Sequence, residues 1–170
     1  MTRRAGNPGR ALRPTALLVG EGYAEEHLLK WIRAVFTAGG QGRRITIKNS
    51  HGRGPDAIIR LGLDRDGFDE VAVLLDTDVS WPPECVAMAK EQGIVLIGCS
   101  PCLEAWLLRL AGYKVRDGIP SATHKAHFLR MFGRTANDQR VYPEFFGRDV
   151  LVAARSLDDG LDNLLKVFGA

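Results

Sequence analysis

Short apolar runs alternate with helical periodicities along most of this chain. Thr15 to Gly20 is an unbroken run that predicts a strand buried on both faces. From Ala24 to Ala38 the apolar positions Leu28, Leu29, Ile32, Val35 and Phe36 fall on one helical stripe, with Gly39-Gly40 as a stop. Arg44 to Asn49 reads as a second, more polar strand. Pro55 stands at a favoured first helical position and opens a helix carrying Ile58, Ile59 and Leu63. Glu70 to Asp76 predicts a third strand and Pro82 to Gln92 a third helix. Ile94 to Cys99 predicts a fourth strand, followed by a helix with Leu103, Trp106, Leu107 and Leu110 on one face. Strand signals then fade. Ala122 to Phe132, Arg148 to Arg155 and Asp158 to Phe168 read as helices, the last with Leu161, Leu164, Leu165 and Phe168 at i, i+3, i+4 and i+7.

Strand followed by helix, four times over, predicts an α/β fold: a central four-stranded parallel sheet flanked by helices, Rossmann-like, with a C-terminal helical extension. The organisation expected is a flexible basic arm over 1–14, an α/β core over 15–112 and helices over 113–170 packed on the same domain. The 170 residues suit a single domain, and 45% apolar with 25% charged residues is a globular mix that excludes whole-chain disorder. No apolar run approaches the roughly 20 residues of a membrane span. The run after the N-terminal arginines stops at Val19, before Glu21, so no signal peptide is expected, and three cysteines do not make a secreted disulfide framework. The expectation is a cytoplasmic protein. A net charge of +3 permits a nucleic-acid partner without requiring one.

In an open parallel sheet the chemistry gathers at the carboxyl ends of the strands. The first strand ends on Glu21-Gly22, with Glu25 one turn into the helix. The third ends on Asp76-Thr77-Asp78, and the fourth on Cys99-Ser100-Pro101-Cys102, with Glu104 just inside the next helix. Asp76 and Asp78, two apart on extended chain, point the same way. Singly, each acid has an ordinary explanation as a solvated turn or capping residue. Together they repel one another unless a cation intervenes, and oxygen ligands alone select Mg²⁺, Mn²⁺ or Ca²⁺ over zinc.

The same residues carry a family resemblance. Leu18-Val19-Gly20-Glu21-Gly22 with Glu25, followed by Val73-Leu74-Leu75-Asp76-Thr77-Asp78, resembles the TOPRIM pattern of a Glu after the first strand and a DxD after a later one. Ser100-Pro101-Cys102-Leu103-Glu104-Ala105-Trp106-Leu107-Leu108 resembles the NPCFExWLL signature of RloB-like proteins, small TOPRIM proteins related to the nuclease part of the OLD family. Ala24 and Ser100 depart from the family's usual Thr and Asn, and neither departure removes a carboxylate. The resemblance implies a TOPRIM-like sheet; if its first strand lies beside the third, the switch point falls between Glu21 and Asp76/Asp78. It also implies metal-dependent phosphodiester cleavage in defence against phage or foreign DNA, with nucleic acid as substrate, DNA ahead of RNA, and an ABC- or AAA-type ATPase as partner. Glu21, Asp76 and Asp78 are then the ligands of Mg²⁺ or Mn²⁺, as one ion or two. Glu25 and Glu104 serve a second ion or orient water, and Lys125 is the candidate lysine that follows the sheet.

Gly52-Arg53-Gly54 leads into the second helix, where free backbone N–H groups with His51 and Arg53 form a candidate phosphate site around Gly54. The equal alternative there is a plain glycine-rich turn. Cys99-x2-Cys102 opens a helix as in thioredoxins, and with His124-x2-His127 it offers a zinc set, although zinc fingers space their histidines differently. Trp31, Trp81 and Trp106 are expected in packing rather than base stacking. Three function classes therefore stand: a metal-dependent nuclease, a catalytically silent module of the same fold that partners an ATPase, and a redox or structural-zinc protein.

Overall fold

Four parallel strands stand in the order β2-β1-β3-β4 in the computed structural model, which describes residues 13–38, 42–64 and 67–170. They are β1 (Thr15–Gly20), β2 (Arg44–Asn49), β3 (Glu70–Asp76) and β4 (Val95–Cys99). The register aligns Gly20 with Asn49 on one side and with Leu74 on the other, and Asp76 with Cys99. The ends of β1, β3 and β4 therefore share one edge. The chain leaves β1 toward β2 and returns across it to β3, so a crevice opens between β1 and β3.

Helices α1 (Tyr23–Phe36), α2 (Pro55–Leu63), α3 (Pro83–Glu91) and α4 (Leu103–Leu110) connect and follow the strands. Period-two alternation in β1 sorts them between the faces. Leu17 and Val19 pack with Ile58, Ile59, Cys85 and Ala89 of α2 and α3. Ala16 and Leu18 face a larger core made with α1, α4 and the C-terminal helices. Those are α5 (Ser121–Phe132), α6 (Val141–Phe145), α7 (Arg148–Arg155) and α8 (Asp159–Phe168). Leu161, Leu164, Leu165 and Phe168 of α8 are buried, and α8 packs on β3 and β4, so the C-terminal helices complete the sheet's second face.

The three tryptophans pack. Trp31, Trp81 and Trp106 donate their indole N–H groups to Phe146 O (2.7 Å), Asp76 O (2.8 Å) and Asp158 Oδ2 (3.0 Å). Helix α1 ends two residues earlier than its periodicity predicts. Both the N–H and the hydroxyl of Thr37 donate to Arg33 O, which closes the last turn at Phe36. The expected Gly39-Gly40 stop lies outside the described residues, as does nearly all of the expected basic arm. No helix among the described residues is long and apolar enough to cross a membrane.

Candidate active site

Gly20 lets the site form. A Cβ there would lie 2.8 Å from Glu25 Cβ, so the end of β1 meets the first turn of α1 at a distance that only glycine tolerates. That contact brings Glu21, at the strand end, and Glu25, in the helix, into one cleft of about 430 Å³. Asp76, Glu104 and Lys125 line the same cleft, with Tyr23, His51 and Asn137 at its walls.

Each acid is fixed by a donor from another segment. Glu21 Oε2 accepts the Asp76 N–H at 3.2 Å, which ties β1 to β3 across the crevice. Asp76 Oδ1 accepts the Leu103 N–H at 2.8 Å, at the start of α4. Glu25 Oε2 accepts the Gly22 N–H at 2.9 Å and reaches back over its own helix start. The loop after β3 is braced by Pro101 O, which accepts the N–H groups of Thr77 and Asp78. The Glu21 carbonyl accepts the Gly52 N–H at 2.8 Å and the Ser50 hydroxyl at 2.9 Å, joining the β2 loop to the same edge.

These carboxylates press on one another. Burial first, then the charges of Glu25, Glu21, Asp78 and Glu104, push the Asp76 carboxyl up to about 8. Burial also raises Glu25, against the lowering effect of its own and Gly22's backbone N–H groups. Lys125 Nζ stands 3.7 Å from Glu104 Oε1. Burial pulls that ammonium down, but Glu104, Asp76 and Glu25 together outweigh it and hold Lys125 above its ordinary range. Glu104 Oε2 is buried without a hydrogen-bond partner.

Glu21, Glu25, Asp76, Glu104 and Lys125 thus line one cleft. Asp78 does not line the cleft: its Oδ2 accepts the Ser121 hydroxyl at 2.6 Å, although its charge still acts on Asp76. His51 forms the boundary between this cleft and a second cavity of about 400 Å³ that Arg53 also lines. Gly54 caps the N-terminus of α2 beside it. Tyr23 and Asn137 are additions that no sequence pattern pointed to. Tyr23 opens α1 and is 60% exposed, whereas Asn137 comes from an irregular segment distant in the chain.

The cysteines stand apart from this chemistry. Cys99 and Cys102 are buried free thiols. Burial drives the Cys99 thiol far above its ordinary range and raises Cys102 as well, the opposite of an activated thiolate.

Among the described residues no three His, Cys, Asp or Glu side chains are already gathered around an ion position. The donor chemistry nevertheless suits a hard dication. The acids of the cleft offer oxygen alone, Glu104 Oε2 lacks a partner, and the mutual repulsion that raises Asp76 is what a divalent cation relieves.

No family model matches the chain, and no curated protein matches it in sequence. Among solved structures, a hypothetical protein from Pyrococcus horikoshii OT3 is similar, with a TM-score of 0.50 and 16% identity. The match covers 91% of this chain and 99% of the other. The likeness concerns the fold.

Proposed function

We propose that this chain is a divalent-metal-dependent nuclease of the TOPRIM type, hydrolysing phosphodiester bonds in foreign nucleic acid. The observation that carries the reading is the convergence of Glu21, Glu25, Asp76 and Glu104 on one cleft at the β1/β3 crevice, with Asp76 raised to about 8 by burial and by its acidic neighbours. The sequence resemblance to RloB-like proteins rests on the same residues and adds DNA as substrate and an ATPase as partner.

Glu21 and Asp76 are the residues that would hold Mg²⁺ or Mn²⁺, with Glu25 and Glu104 beside them. When bound, the ion supplies Lewis acidity to the phosphoryl oxygens and lowers the pKa of water. The rest is the work of side chains. Glu21 and Asp76 use Oε2 and Oδ1 for backbone N–H groups, which fixes both carboxylates and leaves each a second oxygen. Buried Glu25 keeps one wall of the cleft acidic and orders water at the reacting phosphate. Lys125, tethered to Glu104, presents a charged ammonium to the phosphate and offsets its negative charge. Asp78, linked to Ser121, ties the β3 loop to α5, the helix that carries Lys125.

The test is incubation of the purified chain with plasmid and single-stranded DNA, with Mg²⁺, with Mn²⁺ and with EDTA. Cleavage is expected with either metal and not with EDTA, and Glu21→Gln should lower it at least about 100-fold. A folded wild type that cuts nothing, alone or with an ATPase partner, yet is stabilised by Mg²⁺, would replace the nuclease with a silent ion-holding module.

A further inference from the structure

Beside the acid cleft lies a cavity of opposite character. It measures about 400 Å³ and is walled by Lys48 at the end of β2, by His51 and Arg53 in the following loop, and by Ala57 and Leu61 of α2. The two cavities share His51. Several cations among the described residues face an acid: Lys30, Arg60, Arg134, Arg155 and Lys166 all have carboxylate partners. Among the described residues Lys48 and Arg53 have none, and both are exposed. Their charge is therefore available to an external anion.

The residue between the cavities is held in place. His51 has φ 57, the one non-glycine positive φ among the described residues, and it costs backbone strain. The His51 N–H donates to Asn49 Oδ1 at 2.7 Å, while Asn49 Nδ2 donates to Glu26 Oε2 at 2.8 Å, so α1 sets the loop. The His51 ring meets the Tyr23 ring edge-on, with centroids 6.0 Å apart. Tyr23, 60% exposed, thus stands as an aromatic surface on the rim between an acidic and a basic cavity.

We propose that the two cavities form one track for an unpaired nucleic-acid strand, with the scissile phosphate over Asp76, the neighbouring phosphate between Lys48 and Arg53, and a base stacked on Tyr23. This rests on the nuclease reading and narrows its substrate to single strands or frayed ends. A cleft of about 430 Å³ is the size of a small-ligand site and admits a nucleotide rather than a length of duplex. A base inside a duplex is stacked on both faces and cannot meet Tyr23, whereas an unpaired one can.

The experiment is fluorescence anisotropy of the full chain with 5′-fluorescein octathymidylate and with a blunt duplex of equal length, Ca²⁺ replacing Mg²⁺. The single strand should bind at least about 10-fold tighter than the duplex. A Lys48→Gln/Arg53→Gln pair should lose about 0.7 from the slope of log affinity against log salt, the value for the one phosphate contact the two residues share. Tyr23→Ala should weaken single-strand binding by about 5- to 100-fold with the salt slope intact. Lys90→Gln, exposed at the opposite edge of the sheet, is the control and should bind as wild type. Equal binding of duplex and single strand, or a Lys48/Arg53 pair that binds like the control, overturns the track. Metal-dependent plasmid cleavage alongside that result would leave the nuclease reading standing, and the expected binding pattern without cleavage would do the reverse.

Discussion

At the scale of single residues, Asp76 makes the stability of the metal-free protein depend on pH. Its carboxyl titrates near 3.8 when unfolded and at about 8 when folded. Between those values the native state holds a proton that the unfolded chain has released, so stability falls as pH rises toward 8 and the loss is complete above it. Asp76→Asn lacks this slope and can still accept the Leu103 N–H through Oδ1. In EDTA the variant's melting temperature should therefore gain on wild type from pH 5 to pH 8, by at least about 3 °C. A gap that stays constant over that range would show that Asp76 is not strained by its neighbours. Cys99→Ser probes the opposite case. Cys99 is buried and its thiol raised, so the change should lower stability by about 1–2 kcal/mol in urea unfolding while cleavage stays within about twofold of wild type. A loss of cleavage without loss of fold would return the thiol to the chemistry.

The elements owe their positions to patterns that the sequence displays, and the exceptions have physical causes. All four strands fall where the pattern places them, three on apolar runs and β2 on a more polar one, with β4 starting one residue later, at Val95. Unbroken apolar strands need cover on both faces, and right-handed crossovers leave few ways to supply it. The carboxyl-edge acids were legible for the same reason, since strand ends fix where they emerge. Helix α6 was not legible: five residues with Pro143 among them are too short for a 3.6-residue period to register. Its function in the fold comes from Tyr142, whose buried hydroxyl lies 2.8 Å from Ala24 O and 2.7 Å from Ala136 O. That residue ties the C-terminal helices to the turn of α1 that carries Glu25, through a contact 118 residues apart in the chain. Asp78 lies off the cleft because strand alternation ends at Asp76. The next residues turn onto Pro101 O, and Ser121, from a distant helix, takes up the carboxylate. The contact between β1 and α1 yields a prediction at this scale. Gly20→Ala places a methyl 2.8 Å from Glu25 Cβ, so stability should fall by about 1–3 kcal/mol in urea unfolding, with cleavage reduced as Glu25 moves. Unchanged stability would mean that the strand-helix contact is looser than it stands here.

For the molecule as a whole, the sheet acts as a scaffold that gathers three sequence-distant strand ends and then seals its second face with C-terminal helices. The same helices bring Lys125 to the acid cleft, so the extension both completes the core and supplies the cation of the site. On the proposed function, the cleft between β1 and β3 takes a divalent ion through Glu21 and Asp76. Titration of Mn²⁺ followed by electron paramagnetic resonance tests it without reference to any substrate. One or two bound ions per chain are expected in wild type, with binding lost or weakened at least about 10-fold in Asp76→Asn and unchanged in the Lys90→Gln control. Mn²⁺ that stays free at millimolar concentration in wild type, or that binds Asp76→Asn equally well, would contradict it.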